Sequence, residues 1–249
     1  MLKRLDGDTI PLDELEAAIG QAMNKANVAG LSVAILNDGQ IAYTHAFAFR
    51  DKAAGTPFDE ETVTGAASLS KTVFAYLVML LAEEGVIDLD QPLQAYLPKP
   101  LPEYSAYADL AGDGRATQIT ARMALSHSTG FPNWRWIEPD KRLKFLFAPG
   151  TRHSYSGEGI ALLQMVVEEI TGRDLETMAR EKIFEPLGMA RTSYAWRDAF
   201  EANAARPHDE FSLPKRLQRR TKPDAAGSMV TTAGDYARLL VAILNATGR

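Results

Sequence analysis

Ser68 and Lys71 are the residues of this sequence best placed to do covalent chemistry. They stand in Ala67-Ser68-Leu69-Ser70-Lys71-Thr72, at the head of an apolar run that ends at Glu84-Gly85. Three positions apart on a helix, a hydroxyl and an amine project from one face about one turn apart. Serine is a poor nucleophile until a base takes its proton, and a lysine becomes that base when burial or nearby charge lowers its pKa. Val73, Phe74, Leu77, Val78, Leu80 and Leu81 make the run apolar nearly all round, so the helix, and Lys71 with it, is expected inside a domain. The alternative for Ser68 is a cap on a core helix. The same spacing recurs at Ser212-Leu213-Pro214-Lys215, where the proline and the basic neighbours predict a loop.

Other chemistries are poorly supplied. The 249 residues contain no cysteine, which removes thiolate nucleophiles, thiolate metal sites and disulfides. His45, His127, His153 and His208 show no metal-ligand spacing, so no metal is expected. There is no Gly-x-Ser-x-Gly elbow and no glycine-rich phosphate loop. A net charge of −5 gives no hint of a nucleic-acid partner, and the basic cluster from Lys215 to Lys222 reads as a solvated loop. With 46% hydrophobic and 24% charged residues the composition is that of a globular chain long enough for a sizeable core. The N-terminus lacks the apolar core of a signal peptide and no stretch is apolar enough to span a bilayer. The expected location is cytoplasmic, or periplasmic or secreted if a leader has been removed.

The elements that must position the pair read as follows. Pro11-Leu12-Asp13 starts an amphipathic helix through about Lys25, with Leu15, Ile19 and Met23 on the face that should lie against a sheet. Residues 31–36 and 41–49 are strand-like, and Asp38-Gly39 between them signals a hairpin. After the Ser68 helix, residues 88–118 read as connecting segments. A short helix over 119–125 leads to Ser126-His127-Ser128-Thr129-Gly130. Trp134 and Trp136 follow in a loop, where they either wall a pocket or pack beneath the loop. A helix from about Glu158 stops at Gly172, and Asp174 caps the next one, through Ile183. Residues 199–226 should be irregular. Thr232 and Asp235 form a capping-box-like start for a last helix to about Asn245.

Taken in order, Ser68-Leu69-Ser70-Lys71, Glu84-Gly85-Val86-Ile87-Asp88-Leu89-Asp90, Leu125-Ser126-His127-Ser128-Thr129-Gly130, Pro149-Gly150-Thr151, Tyr155-Ser156-Gly157, Glu185-Pro186-Leu187-Gly188-Met189 and Ala226-Gly227-Ser228-Met229 form a series. The series resembles the serine β-lactamase and penicillin-binding-protein superfamily, most closely its class C-like branch of β-lactamases, family VIII-type esterases and D-aminopeptidases, from about residue 12 to residue 246. The resemblance implies that Ser68 is the acylated nucleophile, Lys71 its proton acceptor, and Tyr155 the tyrosine of the family's Tyr-x-Asn motif, a general acid and base. The family's Asn, which holds an acylamino group in β-lactamases, is Gly157 here, and that shifts weight toward simpler esters. His127 falls in the family's His-x-x-Gly turn, in a structural role. Trp134 and Gly157 are candidate substrate-binding residues.

The family's third motif, Lys-Thr-Gly or His-x-Gly, lies on a strand that also supplies the second oxyanion N–H, and nothing after Tyr155 matches it. Losing one such donor costs roughly 3 kcal/mol of transition-state stabilisation. The expectation is therefore that a further polypeptide segment, a second chain or an oligomer completes the sheet, or that the site is adapted to be partial.

The expected fold is α+β and β-lactamase/transpeptidase-like: an antiparallel sheet flanked by helices plus a mostly helical part, with the C-terminal strands missing. Residues 1–60 hold the N-terminal helix and hairpin, and 61–249 the mainly helical part. The expected function is a serine hydrolase working through an acyl-enzyme on small carboxylic esters, D-amino-acid amides or β-lactams, without a cofactor. The alternative is a penicillin-binding-like sensing module that is acylated without turnover.

Overall fold

The computed structural model describes residues 1–246. In chain order it contains strands β1 (Leu2–Lys3) and β2 (Thr9–Ile10), helix α1 (Leu12–Lys25), strands β3 (Gly30–Asn37), β4 (Gln40–Asp51), β5 (Thr56–Pro57) and β6 (Thr64–Gly65), helices α2 (Ser70–Glu83), α3 (Ala121–Leu125), α4 (Gly157–Thr171) and α5 (Leu175–Ala179), strand β7 (Val230–Thr231) and helix α6 (Ala233–Asn245). Contacts divide the chain into two compact units. One is made of residues 1–66, 180–222 and 229–249; the other of residues 67–179 and 223–228. The C-terminal segments return to the unit of the hairpin.

In the first unit, α1 begins after Pro11, with Asp13 and Glu14 in its first turn and Lys25 in its last, charges that suit the helix dipole. β3 and β4 pair antiparallel from Gly30↔Ala48 to Asn37↔Gln40, with a bulge at Ile35/Leu36. Asp38 (φ 52°) and Gly39 (φ 72°) are both left-handed, the geometry a two-residue hairpin turn requires. β5 pairs with β4, so the sheet runs β3-β4-β5, and the far edge of β3 has no strand beside it among the described residues. Helix α6 packs on β3 and β4, and its Asn245 amide donates to the Gly39 carbonyl at 2.8 Å.

Thr232 caps α6 by accepting from the Asp235 N–H at 3.1 Å. The reciprocal half of the expected capping box is replaced: the buried Asp235 carboxylate instead accepts from the Arg191 N–H (2.7 Å) and the Thr192 hydroxyl (2.9 Å). The segment expected to be irregular carries a 3-10 turn at Asp198–Asn203. It is tied to Val63, whose N–H donates to Asn203 O at 3.0 Å and whose carbonyl accepts from the Ala205 N–H at 2.9 Å. Val63, Phe200 and Val230 form a small core there.

The second unit is built on α2, where Val73, Phe74, Leu77 and Val78 are fully buried, as are Leu162, Leu163, Val166 and Val167 of α4. Left-handed Gly85 (φ 73°) follows the end of α2. Ser156 caps α4 by accepting from the Gly159 N–H at 3.0 Å, and Gly172 (φ 64°) ends it. Residues 88–118 carry four 3-10 turns between the helices. Asp174 accepts from the Thr177 N–H at 2.9 Å at the start of α5, as expected, but α5 stops at Ala179 and the chain continues as a π turn over Arg180–Phe184. Among the described residues no helix is long and apolar enough to cross a membrane.

Candidate active site

Ser68 does not lie on the long helix. It is the middle residue of a 3-10 turn, Ala67–Leu69, and α2 starts two residues later at Ser70. Ala67 is left-handed (φ 44°), a conformation that costs an alanine about 1 kcal/mol. Such strain directly before a nucleophile is one way a fold holds a reactive side chain out of the regular helix. The effect is a contrast in depth. Ser68 is exposed, whereas Lys71, one turn further in, keeps only 8% of its surface.

The Lys71 Nζ lies 3.1 Å from Ser68 Oγ and donates to the Ala226 carbonyl at 2.6 Å. That carbonyl sits in a tight turn: the Ala226 N–H donates to Asp224 Oδ1 (2.8 Å) and the Ala225 N–H to Gln164 Oε1 of α4 (2.8 Å). A neutral amine can give one N–H to Ala226 and still turn its lone pair to the serine hydroxyl, the arrangement proton removal needs. The sequence shows Ala226 only as part of a recurring segment, and its contact with Lys71 bridges 155 positions.

Tyr155 completes the group. Lys71 Nζ stands 4.9 Å from the centroid of its ring. Burial opposes ionisation of the phenol, but hydrogen bonding from the Lys71 and then the Ser68 side chain, together with the lysine charge, outweighs it, so Tyr155 ionises below the ordinary tyrosine value. The tyrosine is 42% exposed, open to a substrate from outside. His127 packs on it, ring centroids 4.4 Å apart. The Ser156 N–H donates to His127 Nδ1 at 3.2 Å, which fixes the imidazole beside the Tyr155–Gly157 segment. Burial first, then the charges of Lys71 and His153, hold His127 below the usual histidine value, consistent with a neutral structural ring.

Gly157 is buried beneath Trp134. A Cβ at 157 would lie 2.4 Å from two carbons of the indole, so the space an Asn side chain would take in the family's motif is filled by Trp134. The two candidate substrate-binding residues are therefore brought together: the Trp134 ring covers Gly157, which lies two positions from Tyr155 in the chain. The second Ser-x-x-Lys lies in a loop, as its proline predicts: Ser212 is left-handed (φ 61°) and buried, its hydroxyl donating to the Asn27 carbonyl at 2.9 Å. Among the described residues no cluster of three His, Asp or Glu side chains could hold a metal ion.

The chain is 27% identical over 230 residues to the esterase EstB of Burkholderia gladioli, covering 82% of this chain and 56% of the relative. It is 32% identical over 184 residues to a D-aminopeptidase of Brucella anthropi, covering 71% and 35%. The chain spans about half the length of the curated relatives it matches. In fold it is similar to a class C beta-lactamase (TM-score 0.76, 24% identity, 91% of this chain and 62% of that one). It is equally similar to the octameric penicillin-binding protein homologue of Pyrococcus abyssi (TM-score 0.76, 24% identity, 96% and 57%). The model of the beta-lactamase family matches residues 15–249, and the chain belongs to that family.

Proposed function

We propose that the protein hydrolyses small carboxylic esters through a covalent acyl-enzyme on Ser68. The observation that carries the reading is the exposed Ser68 hydroxyl 3.1 Å from the buried Lys71 amine. In the acylation step Lys71 accepts the Ser68 proton as Oγ bonds to the ester carbonyl carbon, and the Ser68 backbone N–H faces the oxyanion. Collapse breaks the bond to the alcohol, which leaves with a proton from Tyr155. The resulting phenolate, stabilised by the lysine charge, then takes a proton from the water that attacks the acyl carbon, and Lys71 returns its proton to Ser68 Oγ as the acyl–oxygen bond breaks and the acid leaves.

Relatives named as an esterase, a beta-lactamase and a D-aminopeptidase support a hydrolase, and none of these names supports an acylated sensor without turnover. Esters rank above D-amino-acid amides and β-lactams because position 157 offers no amide side chain to an acylamino group. The bare edge of β3 supports a further strand, from polypeptide beyond these residues or from a second chain, as the element that completes the sheet. Native mass spectrometry of the active form reads that point: a lone 249-residue chain with full activity overturns it.

The test of the activity is steady-state hydrolysis of p-nitrophenyl acetate. Sustained turnover that is lost in Ser68→Ala supports the reading. A single burst without turnover, or turnover that survives the substitution, contradicts it.

A further inference from the structure

The loop that places Trp134 also places a second indole, and the pair is held more firmly than loop packing requires. Trp134 and Trp136 stack with centroids 4.4 Å apart and planes 15° from parallel. Trp134 is backed by Gly157, whereas Trp136 is 59% exposed and Ile137 beside it is exposed too. Between the tryptophans, Arg135 is fully engaged. Its backbone N–H and Nε donate to Glu158 Oε1 (2.9 and 3.0 Å), one terminal amino group donates to Oε2 (2.6 Å), and the other donates to the Ala106 carbonyl. Glu158 is nearly fully buried in the first turn of α4. The Asn133 carbonyl adds bonds from the Gly157 and Glu158 N–H groups at 3.0 and 3.1 Å. The two indoles are thus fastened to the turn that carries Tyr155.

We propose that the Trp134–Trp136 stack is the specificity wall of this site and that it binds an aryl group of the ester on the outer face of Trp136. The inference rests on the ester-hydrolase reading and names its substrate class. A flat π face held in advance rewards a second flat ring by offset stacking, and it does so without the ordering cost a mobile loop would carry. The cation between the two indoles is not available to a substrate carboxylate, because the Arg135 guanidinium is taken up by Glu158 and Ala106. With Gly157 covered, position 157 presents no amide to a peptide-like group. The stacked indoles are the flat apolar surface that this loop sets over Gly157.

The experiment compares esters matched in size, with the ring on either side of the scissile bond. Methyl phenylacetate against methyl cyclohexylacetate tests the acyl side, and phenyl acetate against cyclohexyl acetate tests the alcohol side. Each is run with the wild type and with Trp136→Leu, so intrinsic reactivity cancels. In one of the two pairs, kcat/KM for the aryl member should fall about three- to tenfold further than for the cyclohexyl member. Equal falls in both pairs overturn the proposal. Cyclohexyl is the more hydrophobic ring, so burial alone cannot produce an aryl preference.

A binding measurement separates this proposal from the activity it rests on. Ser68→Ala is titrated with phenylacetate and cyclohexylacetate, and tryptophan fluorescence is followed. Tighter binding of the aryl acid, lost when Trp136→Leu is added, supports the wall even where no ester is hydrolysed. Where esters are hydrolysed, the kinetic pairs decide; where none is, equal binding of the two acids overturns the wall.

Discussion

Adding one methyl group at position 157 should be costly only because Trp134 is there. The Cβ of Gly157→Ala would sit 2.4, 2.4 and 2.7 Å from three carbons of the indole, the two nearest about 1 Å or more inside the ordinary carbon–carbon separation of about 3.5–4.0 Å. The ring has little room to yield, since Trp136 stacks on it and the Arg135–Glu158 pair fixes the loop on both sides. Overpacking of this kind costs about 1–3 kcal/mol. At roughly 2–4 °C per kcal/mol for a chain of this size, a cost near 2 kcal/mol lowers Tm by about 4–8 °C. In a Trp134→Ala background the obstruction is gone. Gly157 is the first residue of α4 and its φ is not left-handed, so there the same alanine should stabilise by about 0.5–1 kcal/mol. Chemical denaturation of the four proteins of this cycle measures the coupling, expected at about 2.5 kcal/mol between the two sites. A coupling below about 0.5 kcal/mol would refute the packing of Trp134 on Gly157, and with it the explanation for the missing amide.

Three further outcomes follow from the site. Tyr155→Phe should slow turnover about a hundredfold or more while leaving the fold intact, and the wild-type pH–rate profile should show a group ionising below the ordinary tyrosine pKa that is absent from the variant; stopped-flow kinetics over pH 6 to about 10 reads both. Glu158→Gln leaves the Arg135 guanidinium without its buried counter-charge and should cost about 3 kcal/mol in urea denaturation, with Trp fluorescence reporting a loosened indole pair. Because the folded pKa of His127 is depressed, the unfolded chain takes up its proton first as pH falls. Its contribution is therefore fully present above about pH 6.5 and is lost as pH drops from there through the folded value. A ring proton resonance of His127 that titrates at or above 6.5 contradicts this.

Local signals made much of the frame legible in the sequence. Asp38-Gly39, Gly172 after α4 and Thr232 before α6 each impose a backbone geometry on immediate neighbours, and each appears where its type demands. The grouping of Ser68, Lys71 and Tyr155 was legible because the motifs that carry them survive as spacing and order along the chain. The displacement of Ser68 from α2 into a 3-10 turn was not legible, since it depends on a left-handed alanine that carries no residue signature. Nor were the Ala226 carbonyl on Lys71, the Trp134 ring on Gly157, or the Arg135–Glu158 pair, which join positions 155 and 23 residues apart. The end of α5 at a π turn and the turn of Asp235 toward Arg191 and Thr192 are likewise set by tertiary partners rather than by propensity.

The reactivity of Ser68 under the influence of Lys71 is tested most directly by covalent labelling. The wild type and Lys71→Met are treated with a fluorophosphonate, and peptide mass spectrometry follows the adduct over time. One adduct on Ser68 is expected, forming about a hundredfold or more slowly in Lys71→Met at unchanged Tm. An adduct elsewhere, none at all, or one that forms on Ser68 equally fast without the lysine would contradict a hydroxyl activated by the amine beside it.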